Sequence, residues 1–521
     1  MRLLLIGFLA TMIAGLAMAE DQPNSPDQQA GANGAEPPSG RVARISIKSG
    51  DVNIGTSDGW VDAVVNRPLA PGNGLRTGAQ SRAEIDLGAQ VIDLDHDTEV
   101  NLTRLDDAIV LVSVVKGRLG LTLRQADSGE KVAIEVSGVG VQLLQPGLYD
   151  VDAAAPRIAV FNGRARLLDS TDSSDIITGN MAVLGGSTEV ITEPAARDQF
   201  VDWCQLRDSA GASTASAYHV SPYMTGSAEL DAAGTWENTA EYGAVWFPQE
   251  LPTNWAPYRD GHWNWITPWG WTWIEDHPWG FAPFHYGRWT FLGGRWAWVP
   301  GSFVARPVFA PAVVAFLGTP GVGLSVADSN VPAVGWFPLA PGETYWPAYT
   351  SDLDYVRKLN LGNVRDLETI RLQPDGKPPL EVFDEHFANR RFASVVPRPV
   401  FVSGGAVASS LLSLPEQRLE NAPVLMGSPQ IAPATHRVIV AANPAPRSAA
   451  RAEWTSHIAA LVARNASHAK ALQAAFARLH DRVAVAQVRG AHLRAPAYAG
   501  SAPGRHTMVL RVAHSAKVSR R

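Results

Sequence analysis

Three carboxylates and a set of histidines stand among aromatic residues in the middle of the chain, and these are the side chains best equipped for chemistry. Asp260, Glu275 and Asp276, together with His285, offer the acid and base that a glycosidase draws from paired carboxylates. Acids beside aromatic rings serve binding sites as well, so the pattern alone leaves both uses open. His262, His277 and His285 are loosely spaced and border turns. Turn or edge roles are expected of them, and no metal or cofactor is assigned. Asp93, Asp95, Asp97 and Glu99 alternate, so on one strand they would share a face and present oxygen ligands to calcium. They lack the glycine and twelve-residue spacing of a calcium loop, and a solvated strand face is expected. Cys204 is the only cysteine, which excludes an internal disulfide or a CxxC centre; a small buried hydrophobe is expected. The chain contains no G-x-S-x-G elbow, P-loop, G-x-G-x-x-G or H-E-x-x-H motif. The expectation is a protein that is not an enzyme.

The aromatic residues carry the strongest signal. Twelve of the 17 Trp fall between Trp236 and Trp298. One unit recurs there: His262–Ile266, Gly270–Ile274, Arg288–Leu292 and Arg295–Val299 each place aromatic residues at i and i+2, on one face of a strand. Gly293-Gly294 reads as a hairpin turn, and Pro268-Trp269-Gly270 as another. Two readings stand. The rings are a core, each burying about 150–250 Å² in place of absent disulfides. Alternatively some form an exposed platform for sugar rings. On the second reading the candidate ligand-binding residues are Trp263, Trp265, Trp271, Trp273, Trp289, Trp296 and Trp298, with Asp276, His285 and Arg288 at the edges.

The elements that must position these residues are short. With 46 Gly, 37 Pro and 46% hydrophobic residues in 521, the chain favours many turns and a mainly β fold; a wholly disordered or all-helical chain is excluded. Residues 1–19 read as a signal peptide, with Arg2, an apolar Leu3–Leu16 core and Ala17-Met18-Ala19 before Glu20, and 20–40 as a flexible leader. Short β-branched runs at roughly ten-residue intervals predict an antiparallel sandwich or roll over 41–192. Residues 193–217 read as a helical linker, starting at Pro194, with Phe200, Trp203, Cys204 and Arg207 on one stripe. A Trp-rich β-meander follows over 218–365, then a disordered Pro/Ala-rich linker over 366–450. An amphipathic helix is expected at 451–485 and a disordered basic tail at 486–521. The formal charge of −6 is the resultant of +11 over 447–521, +1 at Arg2 and −18 over 3–446. An acidic body with a basic end speaks to partners rather than fold.

Two resemblances sharpen this reading. Gly50-Asp51-Val52 with Trp60-Val61-Asp62-Ala63 and Asn66-Arg67-Pro68-Leu69, then Leu75-Arg76-Thr77-Gly78 with Ser81–Glu84, then Gly117-Arg118-Leu119 with Pro146–Val151, together resemble the extracytoplasmic β domain of the FecR family. That resemblance implies a place outside the inner membrane, protein contacts and signalling, and no catalysis. Signalling members carry a cytoplasmic anti-sigma segment before a membrane span; here a cleavable-looking leader stands instead, so direct sigma-factor control is not expected. Trp255–Trp263, Glu275–Trp289 and Arg306–Pro311 look like a Trp-rich domain of unknown function that follows a FecR-like domain in exported bacterial proteins. The expected function is a non-enzymatic, periplasmic or secreted envelope protein that binds an envelope glycan or envelope protein. The alternative is a regulatory protein of FecR type acting by protein–protein contacts. No nucleic-acid partner is expected, and the basic tail is expected to associate peripherally with anionic surfaces.

Overall fold

Strand Glu99–Leu105 buries Val100, Leu102 and Leu105 and turns most of the residues between them outward. A bulge between Leu102 and Arg104 keeps Leu105 on the inner face. Repeated along the chain, this alternation builds a two-layer sandwich. The computed structural model describes residues 36–56, 59–168, 175–184, 193–211, 215–252, 254–325, 332–374, 379, 381–382 and 386–433. The signal peptide (1–19), most of the leader (20–40), the helix (451–485) and the basic tail (486–521) expected from the sequence lie outside the described residues.

One sheet runs, edge to edge, Pro68–Leu69, Ala43–Ser49, Arg82–Asp86, Gln90–Leu94, Arg118–Leu123, Gly147–Asp152, Arg157–Val160, Asn180–Val183 and Glu193–Pro194. The other runs Gly59–Asp62, Val52–Thr56, Gly74–Thr77, Glu99–Leu105, Ile109–Lys116, Lys131–Val136, Val139–Leu143, Arg164–Leu167 and Asp175–Ile177. The chain switches between the layers every one or two strands and advances steadily along both. Pairing is antiparallel except between Ile109–Lys116 and Lys131–Val136, which run parallel. Ser137 and Gly138, at φ 52° and 81°, make the two-residue turn that joins Val136 to Val139. The core between the sheets is aliphatic, with Tyr149 its one buried ring among the described residues.

The four alternating acids do not share a strand face. Gln90–Leu94 ends before Asp95, Asp97 takes a left-handed turn at φ 52°, and Glu99 opens a strand of the opposite sheet. A turn needs only one such residue to send its neighbours into different layers, and the alternation carries no sign of it. The following helix also departs from expectation. Glu193–Pro194 adds a last short strand, and the helix begins at Gln199, where Asp198 Oδ1 accepts from the Phe200 and Val201 N–H groups at 3.1 Å. It lies across the first sheet rather than linking two bodies. Cys204 fills the notch left by Gly120, where a Cβ would come within 2.6 Å of the sulfur. Arg207–Glu84 at 2.9 Å and Arg124–Asp208 at 2.8 Å hold its far end.

The Trp-rich half proceeds by antiparallel hairpins shared among three small sheets. Gly234–Thr239 and Gly243–Pro248 pair, and the second strand continues to Arg295–Val299 and Arg288–Leu292. Gly261–Ile266 pairs with Gly270–Glu275. Gly293 and Gly294 take φ 59° and 85°, as the predicted hairpin requires. The third sheet corrects the expected linker. Val314–Leu317 and Pro332–Pro338 recruit Ser394–Pro397 and Val424–Leu425 as further strands. Phe401 sits 4.4 Å from the Trp271 ring and 5.5 Å from Trp263. Residues 386–431 therefore complete this core. They show no hydrophobic period because each short, Pro-flanked piece fills a separate gap.

The two halves meet over a buried polar seam. Arg44 is fully buried and donates to Asp86 Oδ2 (3.0 Å), to Asn66 Oδ1 (2.8 Å) and, through its ion pair, to Glu229. Phe281 lies 5.5 Å beneath its guanidinium. Burial pushes the Asp86 carboxyl upward, but Arg44 and Arg124 outweigh it and hold the group below its ordinary value. Thr225 Oγ1 donates to the Val42 carbonyl (2.9 Å), and Gly226 N to Asp86 (2.9 Å).

Candidate functional site

The predicted platform is a core. Trp263, Trp271, Trp273, Trp289, Trp296 and Trp298 are all buried, and of the seven candidate tryptophans only Trp265 is exposed, at 42%. The rings meet edge to face, as their quadrupoles favour: Trp263 lies 5.5 Å from Trp273 at 70° and 5.3 Å from Trp336 at 81°. Burial obliges the indole N–H groups to find acceptors, and most do. Trp289 donates to Pro283 O (2.8 Å), Trp298 to Tyr286 O (2.9 Å) and Trp271 to Ile431 O (2.8 Å). Strand Gly270–Glu275 is buried on both faces, including Thr272. Aromatic spacing alone does not distinguish such a strand from one with an exposed aromatic face. Trp265 stands at the hairpin end, edge-on to Trp271 at 5.6 Å.

The acid–base candidates separate. Glu275 ends its strand as a buried residue, while Asp276, just past the strand, is exposed. Glu275 accepts from Trp273 Nε1 (2.9 Å) and pairs with His277 Nδ1 (2.6 Å). Burial pushes its carboxyl up to about 7, against the opposing pull of His277 and Trp273. The bond to Glu275 raises His277 in turn. Asp276 lies 3.8 Å from His262. The Glu275 and His277 carbonyls both accept from Asn66 Nδ2, at 2.9 and 2.7 Å, so this pair belongs to the seam between the halves. No group of three or more metal-ligating side chains gathers among the described residues.

His285 and Arg288 border a cleft. His285 is 1% exposed, lies 4.4 Å from the Phe281 ring and 4.8 Å from Phe309, and bonds through Nδ1 to Ala310 O at 2.8 Å. Burial lowers it to about 3, so the ring is neutral. A carbonyl only accepts; the proton therefore sits on Nδ1, and Nε2 is a bare acceptor with no partner among the described residues. Arg288 donates to Glu343 O (3.0 Å), Gly287 O (2.8 Å) and Asn360 Oδ1 (2.7 Å). Burial lowers its guanidinium to about 10, which leaves it charged at neutral pH. The nearby Glu343 carboxylate accepts from the Ala340 and Ala388 N–H groups at 2.7 and 2.8 Å.

The cleft encloses about 40 Å³ between segments 219–224 and 300–310 and the end of helix Leu353–Asn360. Its walls include His219, Ser302, Phe303, Lys358 and Asn363, and none of its 21 lining residues is acidic. Of its lining side chains Phe303 stands in water, 63% exposed; Tyr218 and Leu361, next in sequence to the lining residues His219 and Gly362, are exposed at 85% and 47%. His219 stacks on Trp236 at 4.5 Å. Asn363 donates to Pro300 O at 3.2 Å, while its buried Oδ1 meets no donor among the described residues. Gly301, at φ 86°, lets segment 300–302 run against Gly362, and Ser302 N donates to Gly362 O at 2.8 Å. Sequence reasoning found His285 and Arg288 but missed Phe303 and Lys358. They lie outside the aromatic repeat, and nothing local to them signals exposure.

Comparison with known proteins adds a family match to one segment of the chain and a distant likeness. Residues 227–343 match the model of DUF6600, a family of unknown function. No curated protein matches the chain. Two crystal structures from Parabacteroides distasonis, each of a candidate anti-sigma factor and at 2.50 and 1.65 Å resolution, are similar to part of it. Each has a TM-score of 0.22 and 16% identity, and the match covers 25% of this chain and 64% of theirs, just under two thirds of their length.

Proposed function

We propose that this is a non-enzymatic, exported envelope protein that binds an envelope component, glycan or protein, and that the cleft between His219, Phe303 and Lys358 is where it binds. The observation that carries this reading is the cleft's rim. Nearly all the Trp-rich half's aromatic rings are spent on its interior, yet Phe303 stands in water on a cleft whose lining carries no carboxylate. Exposed aromatic side chains around a concave surface mark binding sites. The export-type N-terminus supports a periplasmic or secreted location. The two-layer sandwich over 43–194, with the motifs around Gly78, Gly117 and Gly147, supports a FecR-like module acting through contacts rather than catalysis. The separation of Glu275 from Asp276 supports the non-enzymatic reading.

The test is retention of the full chain on purified peptidoglycan, envelope polysaccharides and envelope protein fractions. The full chain is required because residues 394–425 complete the Trp-rich core. Retention on one fraction, competed by its soluble fragments, supports the reading and names the component. Passage through all of them would sink it.

A further inference from the structure

The outer face of the first sheet carries a row of acids under the helix Gln199–Gly211. Glu84 stands directly opposite Asp93 on the neighbouring strand, Asp93 opposite Gly120, and Gly120 opposite Asp150. Ile85, Ile92, Leu121 and Tyr149, next to them in sequence, fill the core between the sheets, so the row lies on the other face. The two outer acids have arginines. Arg207 donates to Glu84 at 2.9 Å, and Arg118 to the two Asp150 oxygens at 2.7 and 2.9 Å. Asp93, between them, is 1% exposed, and no N–H or O–H group among the described residues bonds to either of its carboxyl oxygens. The helix sets the Cys204 thiol, a weak donor, against it, with Arg207 and Asp208 beyond; Asp208 is tied to Arg124 at 2.8 Å. A carboxylate directly across the strand pair and burial without a strong donor both oppose ionisation. Asp93 is therefore the neutral acid while the helix is down.

The helix itself is lightly held. Phe200, Val201 and Cys204 are its fully buried apolar side chains, Leu206 stands 68% exposed, and much of the remaining grip is ionic, through Arg118–Asp198, Arg207–Glu84 and Arg124–Asp208. An element with so few buried apolar contacts opens locally before the domain around it unfolds. We infer that this helix is a pH-released cover: it closes on the sheet with a proton on Asp93 and lifts as that proton leaves, exposing Cys204 and the acidic row. Closed, the Asp93 carboxyl is held well above the ordinary 3.8; open, water returns it there. The stabilisation of the closed form is thus complete below the open value and is lost as pH rises through the closed one. Burial beside Asp93 also pushes the Cys204 thiol up, so the closed form does not react.

Cys204 is the only cysteine in the chain, so thiol labelling of the full protein reads the helix directly. The maleimide labelling rate is measured between about pH 5 and pH 8 and divided, at each pH, by that of the urea-unfolded chain, which removes the thiol's own titration. This ratio, the open fraction, is expected to rise by up to about tenfold per pH unit, one proton leaving per opening. Asp93→Asn, which keeps the shape and cannot ionise, is expected to abolish that slope. Gly120→Ala would press a Cβ within 2.6 Å of the Cys204 sulfur, and is expected to raise the open fraction at every pH while keeping the slope. An open fraction that does not change with pH, or an Asp93→Asn protein with the parent's slope, would overturn the inference. So would an open fraction equal at every pH to the unfolded fraction obtained by chemical denaturation, because Cys204 would then be reached only by global unfolding.

Discussion

The sandwich and the Trp-rich half solve one problem, burying a core without disulfides, in different ways. The sandwich stacks aliphatic side chains between two long sheets and gathers its charges on the outer faces, where arginines pair with acids beside the helix Gln199–Gly211. The Trp-rich half has only short strands, so it fills its interior with large rings and ties many of their N–H groups to backbone carbonyls. Long sheets can rely on many small, interchangeable contacts, whereas short strands depend on a few large ones. Removal of a single side chain should therefore cost the second half more.

The largest effect is expected there. Trp263 touches Trp273, Phe316, Trp336 and Phe401. Trp263→Ala should destabilise the protein by about 3–5 kcal/mol, and Leu121→Val in the sandwich by roughly 1 kcal/mol from one lost methylene. Chemical denaturation of both variants checks the contrast, and equal losses would refute it. A comparable effect is expected where the halves meet. Arg44→Ala leaves Asp86 buried without its main partner and should cost about 3–5 kcal/mol. It should also split the calorimetric melt into two transitions; a single unshifted peak would show that the seam does not couple the halves.

Each half also hides a carboxyl, which turns the comparison into one of pH. Burial, helped by Glu84, pushes Asp93 well above the ordinary carboxylate range against the opposing bond of the neighbouring Cys204 thiol. Glu275 is pushed to about 7 by burial. In both cases the folded chain holds a proton that the unfolded chain gives up at lower pH. Stability is therefore greatest below the unfolded value and falls as pH rises toward the folded one. For Glu275 that window runs from 4.5 to about 7, and His277, raised by the same pair, extends the fall upward. For Asp93 it begins at 3.8. Asp93→Asn and Glu275→Gln should each flatten part of this fall, Glu275→Gln within the neutral range. Denaturation midpoints between pH 4 and 9 measure it, and slopes unchanged from the parent would contradict the assignment.

The smallest effect concerns the basic end. Deleting Arg447–Arg521, which holds 13 Lys/Arg against two acids, should weaken sedimentation with anionic envelope fractions and reduce its salt sensitivity. Each basic residue near such a surface contributes roughly 1 kcal/mol. Sedimentation as complete as the full chain's across the salt series would make that segment a passenger.

Local pattern determined much of the molecule. Period-2 runs such as Val132–Val136, the turn at Gly293-Gly294 and the stripe of Phe200 and Cys204 are set by sterics within a few residues, and each is legible in the sequence. What the chain's distant parts do to one another was not. Whether Trp263 faces water depends on Phe401, 138 residues further along, and the apparent linker becomes core because its strands pair with Pro332–Pro338. Asp93 and Asp95 read as part of a solvated strand face, yet the helix and Arg82 cover them. The cleft is the extreme case: His219, Phe303 and Lys358 come from three separate segments, and each alone reads as an ordinary surface residue. Strand and turn formation are local in sequence. Exposure and convergence are properties of space, and only the tertiary structure decided them.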